Sequence, residues 1–249
     1  MTMSSMLPKQ KQPAAVAVAG PLKGIIFDMD GTLIQLNVIN ELIHRIYEVA
    51  DEDPLGKHHG RGDLNVMVAN LSQEGQGKAQ KAIVDILQRH VDNMIIQEGG
   101  PELVAFLARN GVKRAVLTRN YERNAHVMQH MYRSVLNDAT FDLIIGKDTL
   151  YYASHPPAHE IPKVDRIHQI CDLWGCDTRE VIMLGDSIPD DIVEGHRAGC
   201  GGTVLLQQKG YNLNLNHYYG TSIGNSTERT PSLCVETLSE LRQYLETKM

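Results

Sequence analysis

Cysteine is scarce in this chain. There are four in 249 residues, Cys171, Cys176, Cys200 and Cys234, with no C-x-x-C pair among them. That excludes a disulfide scaffold and leaves core thiols of a reducing compartment. Long apolar runs are missing too: none approaches the roughly 18 residues that cross a bilayer, so no membrane partner is expected. Positive charge is in the minority, with 24 Lys and Arg against 30 Asp and Glu and a net charge of −6, so a nucleic-acid partner is not expected either. A hydrophobic share of 42% and a charged share of 22% exclude a disordered or collagen-like chain. Acidic residues are absent from positions 1–20. A disordered tail is expected there, and a cytoplasmic location with it. The alternative is an organellar presequence, against which the lack of Arg in the tail counts.

Patterned sequence begins at Leu22. Residues 24–27 form a short apolar run ending in Asp28-Met29-Asp30-Gly31-Thr32, which reads as a buried parallel strand and a turn. From Ile34 to about Ile96 the pattern is helical: Ile39, Leu42, Ile43 and Ile46 recur at helical spacing, as do Ala82, Ile83, Ile86 and Leu87. Further strands are expected at 114–118, 141–145, 181–186 and 203–206, with helices at 124–136, 165–174, through Ile192 and His196, and at 238–245. Residues 211–230 read as a long polar surface loop. Strands alternating with helices define an α/β fold, a parallel sheet covered by helices on both faces.

In open parallel sheets, ligands bind beyond the carboxyl ends of the strands. Here those ends carry chemistry: Asp28 and Asp30 after the first strand, Thr118 after the second, Asp186 after a later one. Carboxylates at i and i+2 repel unless a cation lies between them. Asp186, with Asp190 and Asp191 four and five residues on, would complete an oxygen-only shell suited to Mg²⁺, and the expected ligands are Asp28, Asp30, Asp186 and Asp190. Asp190 and Asp191 could also cap the helix that follows.

The segments Phe27-Asp28-Met29-Asp30-Gly31-Thr32-Leu33, Leu117-Thr118-Arg119-Asn120 and Leu184-Gly185-Asp186-Ser187-Ile188-Pro189-Asp190-Asp191 resemble the first, second and fourth motifs of the haloacid dehalogenase superfamily. The resemblance runs from about Leu22 to Leu245. It implies a Rossmann-like catalytic core over residues 21–34 and 99–249, with a small α-helical cap inserted over 35–98. It also implies that Asp28 is a nucleophile taking a phosphoryl group, and that Asp30 protonates the leaving oxygen and then activates water. Thr118 and Arg119 would hold phosphate oxygens. The true dehalogenases of the superfamily do not usually carry the second Asp, so Asp30 favours phosphate chemistry.

The third motif of that family, a Lys before a helix, is off pattern here. The candidates for the phosphate-clamping cation are Lys163, His155 and His159, with Lys147 an outsider. Lys163 is favoured for its permanent charge and for Pro162 just before it. The loop 56–62, with Lys57, His58, His59 and Arg61, either selects substrate or simply joins two helices. His126 and His130, spaced i and i+4, lack a third metal ligand and read as a surface pair, and Cys171, Trp174 and Cys176 read as core.

The expected function is therefore a Mg²⁺-dependent phosphatase acting on a small phosphorylated metabolite through an aspartyl-phosphate. The alternatives are a phosphomutase using the same intermediate, and a non-catalytic phospho-ligand binding or scaffold protein.

Overall fold

The computed structural model describes residues 20–35, 39–56, 64–136, 140–149, 162–207 and 227–249. The tail, most of the loop 56–62, His155, His159 and most of the loop 211–230 lie outside those residues.

Six strands make one fully parallel sheet: β1 (Gly24–Phe27), β2 (Lys113–Leu117), β3 (Leu143–Ile145), β4 (Val181–Gly185), β5 (Gly202–Leu206) and β6 (Leu233–Val235). Their order is β3-β2-β1-β4-β5-β6, so β1 sits at the centre and the chain reverses direction across the sheet beside it. A crevice therefore opens at the carboxyl ends of β1 and its two neighbours, β2 and β4.

The strands are apolar throughout because both faces are covered. Alternate residues feed opposite layers. Ile25, Phe27, Ile182 and Leu184 join one core cluster, and Ile26, Val181 and Met183 the other. Helices α4 (Gly100–Arg109) and α5 (Glu122–Leu136) contribute Leu103, Leu107, Met128 and Tyr132 to the first. Helix α6 (Lys163–Trp174) contributes Ile167, Ile170 and Cys171 to the second. A π-turn over Ile188–Ile192 leads into the short α7 (Val193–Arg197), and α8 (Leu238–Glu246) packs on α4. Strand β6 is an addition to the sequence expectation, which left this stretch between a polar loop and the last helix. It has three residues at the sheet edge with Cys234 exposed, too short to show an apolar period.

Between β1 and α4 lie helices of the insert: α1 (Ile39–Glu52), α2 (Leu64–Ala69) and α3 (Gln73–Asp92). They bury a small cluster of their own, Val49, Ala50, Met67, Leu71 and Ala79. The Asp53 carboxylate accepts from the Ser72 N–H at 3.1 Å and from its hydroxyl, while the Ser72 Oγ caps α3 by accepting from the Gly75 N–H at 3.1 Å. The end of α1 is thereby tied to the start of α3. The two chain crossings between insert and core run side by side: the Gln35 N–H donates to the Ile95 carbonyl at 2.8 Å, and the Gln97 N–H to the Leu33 carbonyl at 2.9 Å. Tyr132 Oη, buried in the core, donates to the same Leu33 carbonyl at 2.9 Å. No helix among the described residues is long and apolar enough to cross a membrane.

Candidate active site

Asp28 follows β1 directly, and its N–H donates to the Leu184 carbonyl of β4 at 2.8 Å. The chain then coils tightly, with the Leu33 N–H returning to the Met29 carbonyl at 2.8 Å. Gly31 is the pivot. Its φ is +83°, which favours glycine, and a Cβ there would lie 2.1 Å from Asp186 Oδ2. The turn brings the strand-end acids together and leaves no room for a side chain between them.

Asp28, Asp186 and Asp191 converge, with one carboxylate oxygen of each within 4.8 Å of the others. Lys163, the first residue of α6, reaches into the same place. Its Nζ donates to Asp28 Oδ1 and to Asp191 Oδ1, both at 2.7 Å. Asp191 is fully buried, and its second oxygen accepts from the Ser187 N–H at 3.0 Å. Burial pushes the Asp28 carboxyl up to about 7, with Lys163 pulling against that and Asp191 adding to it. Burial and then the Asp28 and Asp191 charges push Asp186 well above the usual carboxylate range. For Lys163, burial favours the neutral amine, but the Asp191 and Asp28 carboxylates outweigh it and raise its pKa. Ionised, the three acids would outnumber the one ammonium, so burial makes Asp28 and Asp186 hold protons that a bound cation could replace. An all-oxygen set of this kind fits a hard divalent ion.

Two of the expected metal ligands stand elsewhere. Asp190 pairs with Arg119, Nη2 to Oδ1 at 2.6 Å, and Asp191 takes the place expected for it. Adjacent residues on a helical turn point roughly 100° apart, so only one of the two faces the cleft. Asp191 is held inward by the Ser187 N–H on one oxygen and by Lys163 on the other. Asp30 is the second. By that position the chain has left β1, and the side chain faces the insert: its Oδ2 accepts from Asn120 Nδ2 at 3.1 Å, and its Oδ1 lies 3.4 Å from His90 Nε2 of α3.

Thr118 sits at the end of β2, buried, with its Oγ1 accepting from the Asn120 N–H at 3.0 Å. Arg119, expected on phosphate, is half exposed and holds Asp190. Lys147 lies 3.6 Å from the centre of the Tyr121 ring. A cavity of about 220 Å³ opens beside the cluster, its lining including Thr118, Arg119, Lys147, Lys163, Arg166 and Glu194. His126 contacts Gln129 and Glu122, each at 3.3 Å, and burial raises the Cys171 thiol, which is inert as a result. Sequence reasoning assigned no role to Asn120 or His90. Asn120 lies two residues past a strand-end Thr, which is a signal of sorts; His90 has none nearby.

Comparison with known proteins supplies the class. The profile of the haloacid dehalogenase-like hydrolases matches residues 22–199, and the chain belongs to that family. A haloacid dehalogenase-like hydrolase domain-containing protein of Arabidopsis thaliana is 28% identical over 228 residues, covering 91% of this chain and 84% of that protein. A phosphoglycolate phosphatase of Haemophilus influenzae is 26% identical over 212 residues, covering 78% and 88%. The crystal structure of a predicted phosphoglycolate phosphatase from Haemophilus somnus shares the fold with a TM-score of 0.60 at 18% identity, covering 92% of this chain and 98% of that one.

Proposed function

We propose that this hydrolase is a Mg²⁺-dependent phosphatase that removes phosphate from a small metabolite by way of an aspartyl-phosphate on Asp28. The observation that carries the reading is the division of labour between two carboxylates. Asp28 lies in the acidic cluster against Lys163, whereas Asp30 is held outside it by Asn120. On this reading Asp28 attacks and Asp30 carries a proton.

In the first step an oxygen of Asp28 attacks phosphorus, the ester P–O bond breaks, and the leaving oxygen takes the proton of Asp30. In the second, Asp30 accepts a proton from water, the hydroxyl oxygen attacks phosphorus, and the bond to Asp28 breaks to release inorganic phosphate. Splitting the displacement gives two easier barriers. Lys163 opposes the charge of the phosphoryl oxygens, and the Thr118 hydroxyl donates to one of them. Asp28, Asp186 and Asp191 would hold Mg²⁺, which when bound offsets the repulsion between anionic nucleophile and anionic ester. The cations lining the adjacent cavity suit a small acidic substrate. Two relatives are named phosphoglycolate phosphatases, which makes phosphoglycolate the first substrate to try.

The test is hydrolysis of p-nitrophenyl phosphate and phosphoglycolate with Mg²⁺ and with chelator, in wild type and Asp28→Asn. The amide is isosteric but not nucleophilic, so turnover should vanish while the fold persists. Mg²⁺-dependent turnover by pure Asp28→Asn protein would overturn the covalent route.

A further inference from the structure

Asp30 is flanked on two sides, and the second side belongs to the insert. Asn120, on the core, fixes Oδ2 at 3.1 Å. His90, in the last turn of α3, presents Nε2 to Oδ1 at 3.4 Å and is 3% exposed. Both facing atoms are shut off from solvent, and neither has a hydrogen-bond partner. Buried polar atoms are seldom left so, because each forfeits its hydration without replacement. At 3.4 Å the two atoms are near enough to pair but are not aligned for it, so completing an N–H···O bond takes reorientation as well as a closer approach. The insert joins the core through the two crossings at Gln35 and Gln97.

We infer that His90 is a positioning residue: its Nε2–H donates to Asp30 Oδ1 when the insert is seated, and locks the carboxyl in the rotamer that faces the leaving oxygen. The inference rests on the reading of Asp30 as proton donor. It makes proton delivery depend on where α3 sits. A carboxyl tethered by Asn120 alone can swing about one bond. Tethered at both oxygens it cannot.

Leaving-group chemistry separates aim from packing. Nitrophenolate departs with little help from a proton, whereas an alkoxide needs one. kcat/KM reports only the steps up to transfer onto Asp28. His90→Ala should lower kcat/KM for phosphoglycolate by about tenfold or more, toward the range lost with a general acid. For p-nitrophenyl phosphate the loss should stay under about threefold. His90→Gln, which keeps an N–H donor, should recover most of the difference. Equal losses on both esters, or no recovery in His90→Gln, would make His90 a packing residue. Asp30→Asn is the control on the underlying reading and should show the same ester dependence more strongly. If it does not, the proton-donor role of Asp30 fails. The contact itself is then judged by nitrogen-15 NMR of the His90 ring. A protonated Nε2 with a slowly exchanging proton in wild type, lost in Asp30→Ala, which removes the acceptor oxygen, supports the inference; the same signal in both proteins overturns it.

Discussion

Lys163 Nζ and Asp28 Oδ1 meet at 2.7 Å, both almost excluded from solvent, although the residues are 135 positions apart in the chain. Asp191 lies on the other side of the ammonium, also at 2.7 Å. Removing the lysine therefore removes two bonds at once and leaves two buried carboxylates without their shared cation.

Lys163→Ala should cut kcat/KM on the order of 10²-fold or more, the usual effect of losing one charge partner of a transition state. It should also lower the melting temperature in chelator, since breaking a buried pair typically costs about 3–5 kcal/mol. Added Mg²⁺ should restore part of that stability. A variant with near wild-type turnover would show that the phosphate is clamped by another group.

Asp190 and Asp191 offer a cleaner contrast, because they are neighbours in sequence with different partners. Asp191→Asn should raise the Mg²⁺ concentration needed for half-maximal activity by about tenfold or more, given that outer-shell partners alone are worth about that much. Asp190→Asn should leave it within about threefold, since that carboxylate answers to Arg119. The reverse ranking, read from Mg²⁺ titrations of activity, would reassign the site.

The raised acids make stability depend on pH in a definite direction. Asp28 sits at about 7, and Asp186 is raised well above its ordinary value of 3.8. Raised acids hold protons in the folded state that the unfolded chain has already released. The contribution of both is thus full below about 4; that of Asp28 is lost as pH rises through about 7, and that of Asp186 as pH rises through its own raised value. Mg²⁺ must displace the same protons. The rise in melting temperature produced by Mg²⁺ should therefore widen between pH 5 and pH 7.5. A shift independent of pH would mean that the cation binds away from these carboxylates.

Much of this architecture was legible residue by residue. An apolar run of strand length that stops at Asp28, and another that stops at Gly185-Asp186, announce buried parallel strands whose ends face one crevice. What the sequence concealed depends on rotation and on distance along the chain. Asp190 and Asp191 are equivalent on paper, and their partners, Arg119 for one and Lys163 with the Ser187 N–H for the other, tell them apart only in the fold. Arg119 carries the charge expected of a phosphate ligand, yet its partner Asp190 lies 71 positions on. His90 meets Asp30 across the whole insert, with no local pattern to mark it. Lys163 was favoured over the nearby histidines for its charge and for Pro162 before it, and it is found against Asp28.

The paired crossings at Leu33–Gln35 and Ile95–Gln97 have a consequence for how such a protein diversifies. Because the chain departs from the core and rejoins it at adjacent points, the intervening helices form an excursion whose ends already touch. Replacing them with an excursion of another length or sequence leaves every strand neighbour and every strand-end acid in the same order. The core keeps its strand-end acids while the excursion, and with it the contact of His90 to Asp30, changes. A graft between relatives therefore needs only two junctions, one at each crossing, to carry a new surface onto an old reaction centre.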